Sequence, residues 1–173
     1  VALAAREHSA AAVTVMPSDA PGTKIDATRA LGAEIALYDR ATEDRKAIGQ
    51  ALADARGLPL IEPFDNAEVI AGQGTTGLEI AEQAREGGVT SGDVLVCCGG
   101  GGFASGIALA LEAEAPAMRV RPVEPEGFDD VARALRSGRR ETNRATSGSI
   151  CDAIISPQPG EITFPLLHRL CGP

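Results

Sequence analysis

Short apolar runs rich in β-branched residues alternate along this chain with longer segments of helical period, and that alternation constrains the fold more than any other feature. Strands are predicted over 12–16, 34–38, 58–61, 94–98 and 119–123. Helices are predicted over 24–31, 42–56, 68–85 and 103–114, with a further one after Asp129. Start signals agree: Pro21 precedes the first of these helices, Thr42 is followed by Arg45 and Lys46, and Asp129-Asp130 opens the last. Gly32, Gly57 and Gly87-Gly88 supply the stops. Regular β/α alternation joins parallel strands through crossover helices, so the expected fold class is α/β with parallel, doubly wound sheets. The polar, Pro-containing stretch Glu62-Pro-Phe-Asp-Asn66 interrupts the rhythm. It is read as the passage between two lobes, 1–64 and 65–173. The first residues, Val1 to His8, read as an uncapped amphipathic helix, and Cys171-Gly-Pro173 closes without a finishing element. Both ends therefore suggest a fragment.

Composition excludes several function classes. A net charge of −8 leaves no clustered cations for nucleic acid. No apolar run approaches the roughly 20 residues of a membrane span, so no membrane partner is expected. Cys97, Cys98, Cys151 and Cys171 match no zinc or redox spacing and are expected to be buried, reduced thiols of a cytoplasmic protein.

Two glycine clusters stand out, and their contexts separate them. Gly72-Gln-Gly-Thr-Thr-Gly77 has the form of a dinucleotide fingerprint but follows a helix-like stretch and lacks the acid at the end of a following strand. Its glycines are expected to let a helix pack closely on a neighbouring backbone. Gly99-Gly-Gly-Gly102 instead follows the strand Val94-Leu-Val-Cys-Cys98 without a gap and opens the helix that begins at Phe103. Four glycines carry no side chains to block an anion, and a helix start adds unpaired N–H donors and a positive dipole end. No lysine follows them, so the loop suits a monophosphate held by backbone alone. Further on, Glu124 ends a strand and Asp130 begins a helix. Their carboxylates and the Phe128 carbonyl could converge on Mg²⁺, Mn²⁺ or Ca²⁺, although spacing alone favours the plainer reading of an acidic helix cap.

Ala71-Gly-Gln-Gly-Thr75, the glycine loop with Ser105-Gly106-Ile107-Ala108, and Glu124-Pro-Glu-Gly-Phe-Asp-Asp130 together resemble the threonine dehydratase/serine racemase family. Met16-Pro17, Lys24, residues 28–34 and Pro63-Phe64-Asp65 add to the likeness, which runs the length of the chain and leans toward the bacterial threonine/serine dehydratase branch. The resemblance implies a fold-type II pyridoxal-phosphate enzyme of the tryptophan-synthase-β fold. It further implies that Gly99, Gly100, Gly101, Gly102 and the Phe103 N–H hold the cofactor phosphate, with Phe64 beside the cofactor ring. Glu124, Phe128 and Asp130 would match the divalent-cation site of the serine racemase branch. Arg45 falls where some members place an arginine near the substrate entrance.

The implied reaction is β-elimination of L-threonine or L-serine to a 2-oxo acid and ammonia, with an amino acid as substrate and a homo-oligomer as the assembly. Serine racemase and β-replacement enzymes such as cysteine synthase are the alternatives within the fold. A non-catalytic phosphate-binding remnant is the alternative of another class. The family's Ser-x-Lys motif, whose lysine bonds the cofactor, and its Ser-Gly-Asn-His loop do not occur in these 173 residues. Lys24 and Lys46, the only lysines, both fall on helices, so the chain alone is expected to be inactive.

Overall fold

The computed structural model describes residues 1–145 and 147–172. Its elements are α1 (Ala2–Glu7), β1 (Val13–Pro17), α2 (Gly22–Ala30), β2 (Glu34–Tyr38), α3 (Arg45–Arg56), α4 (Ala67–Glu86), β3 (Gly92–Cys97), α5 (Gly102–Glu114), β4 (Met118–Val123), α6 (Asp130–Ser137) and α7 (Thr163–Leu170). They divide into two compact units, Val1–Leu60 and the chain from Ile61 onward; Phe64 belongs to the second.

In the first unit β1 and β2 pair in parallel, Val13 opposite Glu34 and Pro17 opposite Tyr38, with α2 as the crossover between them. The helix α3 packs on β1. It starts three residues later than the predicted residue 42. Thr42 is spent on the preceding turn, donating from Oγ1 to Asp39 at 3.0 Å, and Asp44 caps the helix by accepting from the Lys46 and Ala47 N–H groups at 2.8 and 3.2 Å. The strand predicted over 58–61 does not form. Gly57 ends α3 in the left-handed region (φ 62°), and the Leu58 N–H donates back to the Ala53 carbonyl at 3.0 Å. Pro59 has no N–H to give, so two of the segment's four backbone donors are lost to a ladder.

The second unit is built on β3 and β4, again parallel, with Gly92 opposite Met118 and Cys97 opposite Val123. Their crossover is α5, which packs on α4, α7 and both strands. Val96, Cys98, Ile107, Leu111, Val120, Val131 and Leu167 lie in one buried cluster. The two helices α4 and α5 approach through glycine. A Cβ on Gly74 would stand 3.2 Å from the Gly106 carbonyl, and one on Gly77 would stand 2.7 Å from Ala110 Cβ. The fingerprint-like cluster thus lies inside a helix and serves packing, as its context predicted. One face of the β3–β4 sheet is open: Leu95 is 72% exposed although Val96 beside it is 4%.

The helix α7 is not among the elements expected from sequence, which leave the C-terminal region without a finishing element. Pro165 sits in its first turn, where a missing N–H costs nothing. Four free cysteines are present, but only Cys98 and Cys171 are buried; Cys97 and Cys151 are exposed, against the expectation for all four. Strand alternation explains the neighbouring pair, since consecutive side chains point to opposite faces. Among the described residues no helix is long and apolar enough to cross a membrane.

Candidate cofactor site

The ladder of β3 extends one residue past the strand, the Cys98 N–H donating to the Val123 carbonyl at 2.9 Å. The chain then turns through Gly99, Gly100 and Gly101 and enters α5 at Gly102. Gly101 caps that helix with φ 97° and ψ −6°, a left-handed conformation that side chains disfavour. At all four positions a neighbour also occupies the space a side chain would need. A Cβ on Gly99 would meet Ile154 Cα and Ser156 Oγ, both at 3.0 Å. On Gly100 it would enter the Phe64 ring, on Gly101 it would stand 2.7 Å from Leu167 Cδ1, and on Gly102 it would stand 2.8 Å from Phe64 Cα. The loop is consequently buried from Gly100 to Gly102, with Gly99 and Phe103 half-buried.

Main-chain donors are left over in this arrangement. The first amide of the turn to find a partner is that of Ser105, which donates to the Gly101 carbonyl at 2.9 Å. The N–H groups from Gly99 to Ala104 have no acceptor among the described residues. Buried amides rarely go without one, and a run of them at a helix N-terminus is suited to an anion. The structure therefore brings together Gly99, Gly100, Gly101, Gly102, Phe103 and Phe64, which the sequence had singled out.

Two residues that sequence reasoning did not assign to the site hold the back of the loop. Thr163, fully buried at the start of α7, donates from Oγ1 to the Gly100 carbonyl at 2.6 Å and accepts from the Gly160 N–H at 2.9 Å. The Asp65 carboxylate accepts from three successive amides: Glu161 and Ile162 at 2.8 Å and Thr163 at 3.2 Å. It caps α7 from nearly a hundred residues away, which no local pattern announces.

The acidic turn is also assembled. Glu124 accepts from the Val131 and Ala132 N–H groups at 2.9 and 2.8 Å, so its carboxylate sits across the N-terminus of α6. Asp130 is fully buried and accepts from Asn143 Nδ2 at 2.5 Å, while its Oδ2 finds no donor among the described residues. Burial pushes the Glu124 carboxyl up to about 7; the two helix amides oppose that shift and the neighbouring Asp130 charge adds to it. Burial likewise raises Asp130, against the pull of Asn143. Phe128 is buried in the turn between them, behind Gly127 at φ 79°. Among the described residues no group of three or more His, Cys, Asp or Glu side chains is placed to hold a metal ion. Arg45, Lys24 and Lys46 are exposed on helices of the first unit.

Comparison with known proteins bears on the family and the fold. The family model for "Pyridoxal-phosphate dependent enzyme" matches residues 1–173. The chain is 41% identical over 169 residues to an L-threo-3-hydroxyaspartate ammonia-lyase of Pseudomonas sp, covering 98% of the chain and 51% of that protein. It is 36% identical over 170 residues to a serine racemase of Schizosaccharomyces pombe, with 98% and 51% covered. Among solved structures, the T.th. threonine deaminase superposes with a TM-score of 0.88 at 41% identity, covering 98% of this chain and 55% of that one. Maize serine racemase gives a TM-score of 0.88 at 32% identity, with 99% and 50% covered. The chain spans about half the length of the curated relatives it matches.

Proposed function

Since the chain belongs to the pyridoxal-phosphate dependent enzyme family, we propose that it forms the phosphate-holding part of an ammonia-lyase acting on a small β-hydroxy amino acid such as L-threonine or L-serine. The carrying observation is the glycine loop: buried amides without acceptors among the described residues, at the mouth of α5, in space that a single Cβ would fill. Those features fit the phosphate of pyridoxal phosphate. When bound, that cofactor supplies an electron sink for charge developing at the substrate Cα.

The chain's own residues have a narrower part. The amides from Gly99 to Phe103 bind the phosphate dianion, and the α5 dipole adds its positive end. Phe64 walls the loop on one side. These amides would hold the phosphate and partly neutralise its charge, so the loop's electrostatics would bear on retention of the cofactor. Racemisation of serine is the second reading, favoured by the similarity to the Schizosaccharomyces pombe and maize serine racemases. Glu124 and Asp130, with the Phe128 carbonyl and waters, are proposed to take a divalent cation. Like its relatives' length, the proposal concerns the full-length protein, acting on an amino acid and assembled as a homo-oligomer.

The test is direct. Full-length protein supplied with L-threonine, L-serine and L-threo-3-hydroxyaspartate should release 2-oxo acid and ammonia from at least one of them. D-serine formation without 2-oxo acid would favour racemisation instead, and neither product would leave a non-catalytic phosphate-binding protein. Gly101→Asp, which adds both a side chain and a negative charge at the loop, should abolish cofactor retention; retention at the wild-type level would refute the loop's assignment.

A further inference from the structure

A run of four glycines can turn its peptide units over at little cost, and a loop that presents carbonyl oxygens repels a phosphate as surely as one that presents amides attracts it. Something must therefore fix which way the peptides face. We infer that Thr163, anchored by Asp65, is a positioning residue that sets the peptide between Gly100 and Gly101 so that its amide faces the anion. This rests on the reading of the loop as a phosphate cradle.

Two donors hold the Gly100 carbonyl from behind, Thr163 Oγ1 at 2.6 Å and the Gly160 N–H at 3.1 Å. The peptide is trans and planar, so the N–H of Gly101 points opposite to that carbonyl. With its carbonyl facing α7, the peptide has its amide facing the other way, where the protein offers no acceptor among the described residues. The next peptide is fixed independently, the Gly101 carbonyl accepting from the Ser105 N–H at 2.9 Å. The hydroxyl that does the holding is itself held. Thr163 is fully buried, its carbonyl accepts from Ser105 Oγ at 3.4 Å, and its N–H joins those of Glu161 and Ile162 on the Asp65 carboxylate. Asparagine at 65 would keep one accepting oxygen and turn an NH₂ group toward an amide that needs an acceptor.

The experiment compares the wild-type full chain with T163V, T163S and D65N. Each is titrated with pyridoxal 5′-phosphate and with pyridoxal, which lacks the phosphate, and far-UV circular dichroism reports the fold. The expected result is a loss of about tenfold or more in pyridoxal 5′-phosphate affinity for T163V, restored to within a few-fold by T163S, with pyridoxal binding unchanged throughout. A merely structural role would weaken both ligands together; that outcome, or wild-type affinity in T163V, overturns the inference. Should T163V not fold, D65N carries the test, because it leaves the hydroxyl in place. Phosphate-selective weakening in D65N supports the inference, and unchanged binding overturns it. If wild type itself makes no distinction between the two ligands, the cradle reading falls first and the positioning role falls with it.

Discussion

The two units of this chain share a plan, a parallel strand pair joined by a helix, yet they bury very different things. Among its described residues the first buries only Ala33, Tyr38, Gly49 and Ala53, and leaves Thr14 Oγ1 without a hydrogen-bond partner. Its ion pairs, such as Arg40 with Asp19 and Arg56 with Glu34, lie at the surface. The second unit buries a continuous apolar cluster and also ties distant stretches together by hydrogen bonds, from Asp65 to residues 161–163 and from Thr163 to Gly100. A glycine loop cannot hold its own shape, so the unit that carries one must supply that shape from elsewhere in the fold. The first unit carries no such loop and, among the described residues, no such network.

The sharpest way to break this contrast is in the apolar cluster. Leu167→Ala should destabilise the second unit by about 3 kcal/mol, because the side chain is fully buried against α5 and the cavity cannot collapse freely. Leu37→Ala in the first unit removes a half-exposed side chain and should cost less than about 1 kcal/mol. Denaturant midpoints for the two variants measure the difference, and equal losses would erase the distinction.

Next in size is a pair within one helix. Gly77→Ala forces a methyl to within 2.7 Å of Ala110 Cβ and should destabilise by about 1–3 kcal/mol. Gly72→Ala, whose methyl meets nothing within 4 Å, should stabilise by up to about 1 kcal/mol through helix propensity. The same denaturation experiment reads both, and a common sign would contradict the close approach of α4 to α5.

The smallest effect belongs to the first unit. Arg56, hydrogen-bonded to Glu34, holds that carboxyl below the ordinary carboxylate range. A carboxyl depressed in the folded state adds stability above its unfolded value and loses it as pH falls through the folded one. Acidification should therefore weaken wild type slightly more than R56Q, as seen in melting temperatures from neutral to acidic pH, and salt should shrink the gap.

Much of this architecture is legible in the chain itself. Gly57 and Asn66 mark helix boundaries, and four of the five predicted strands form. The glycine loop is readable because all its parts, strand, turn and helix, are consecutive. What escapes reading has a common physical origin. A helix end and a proline take two of the four backbone donors that the segment 58–61 would bring to a sheet. The cap of α7 comes from Asp65, and the hydroxyl that orients Gly100 lies 63 residues beyond it. Local pattern cannot reveal a partner that only folding brings near. Leu95, inside the apolar run Val94-Leu-Val-Cys-Cys98 yet 72% exposed, shows the same limit from the other side.

The glycine loop has one more consequence, and it concerns how such a sequence can drift. Gly99 is hemmed in by Ile154 and Ser156, Gly100 and Gly102 by Phe64, and Gly101 by Leu167 and Thr163. No single compensating change elsewhere could admit side chains at all four positions, because the obstructing atoms come from separate stretches of chain. Substitution there would require simultaneous changes at several distant codons, so lineages that keep the function should find these four positions almost closed to variation.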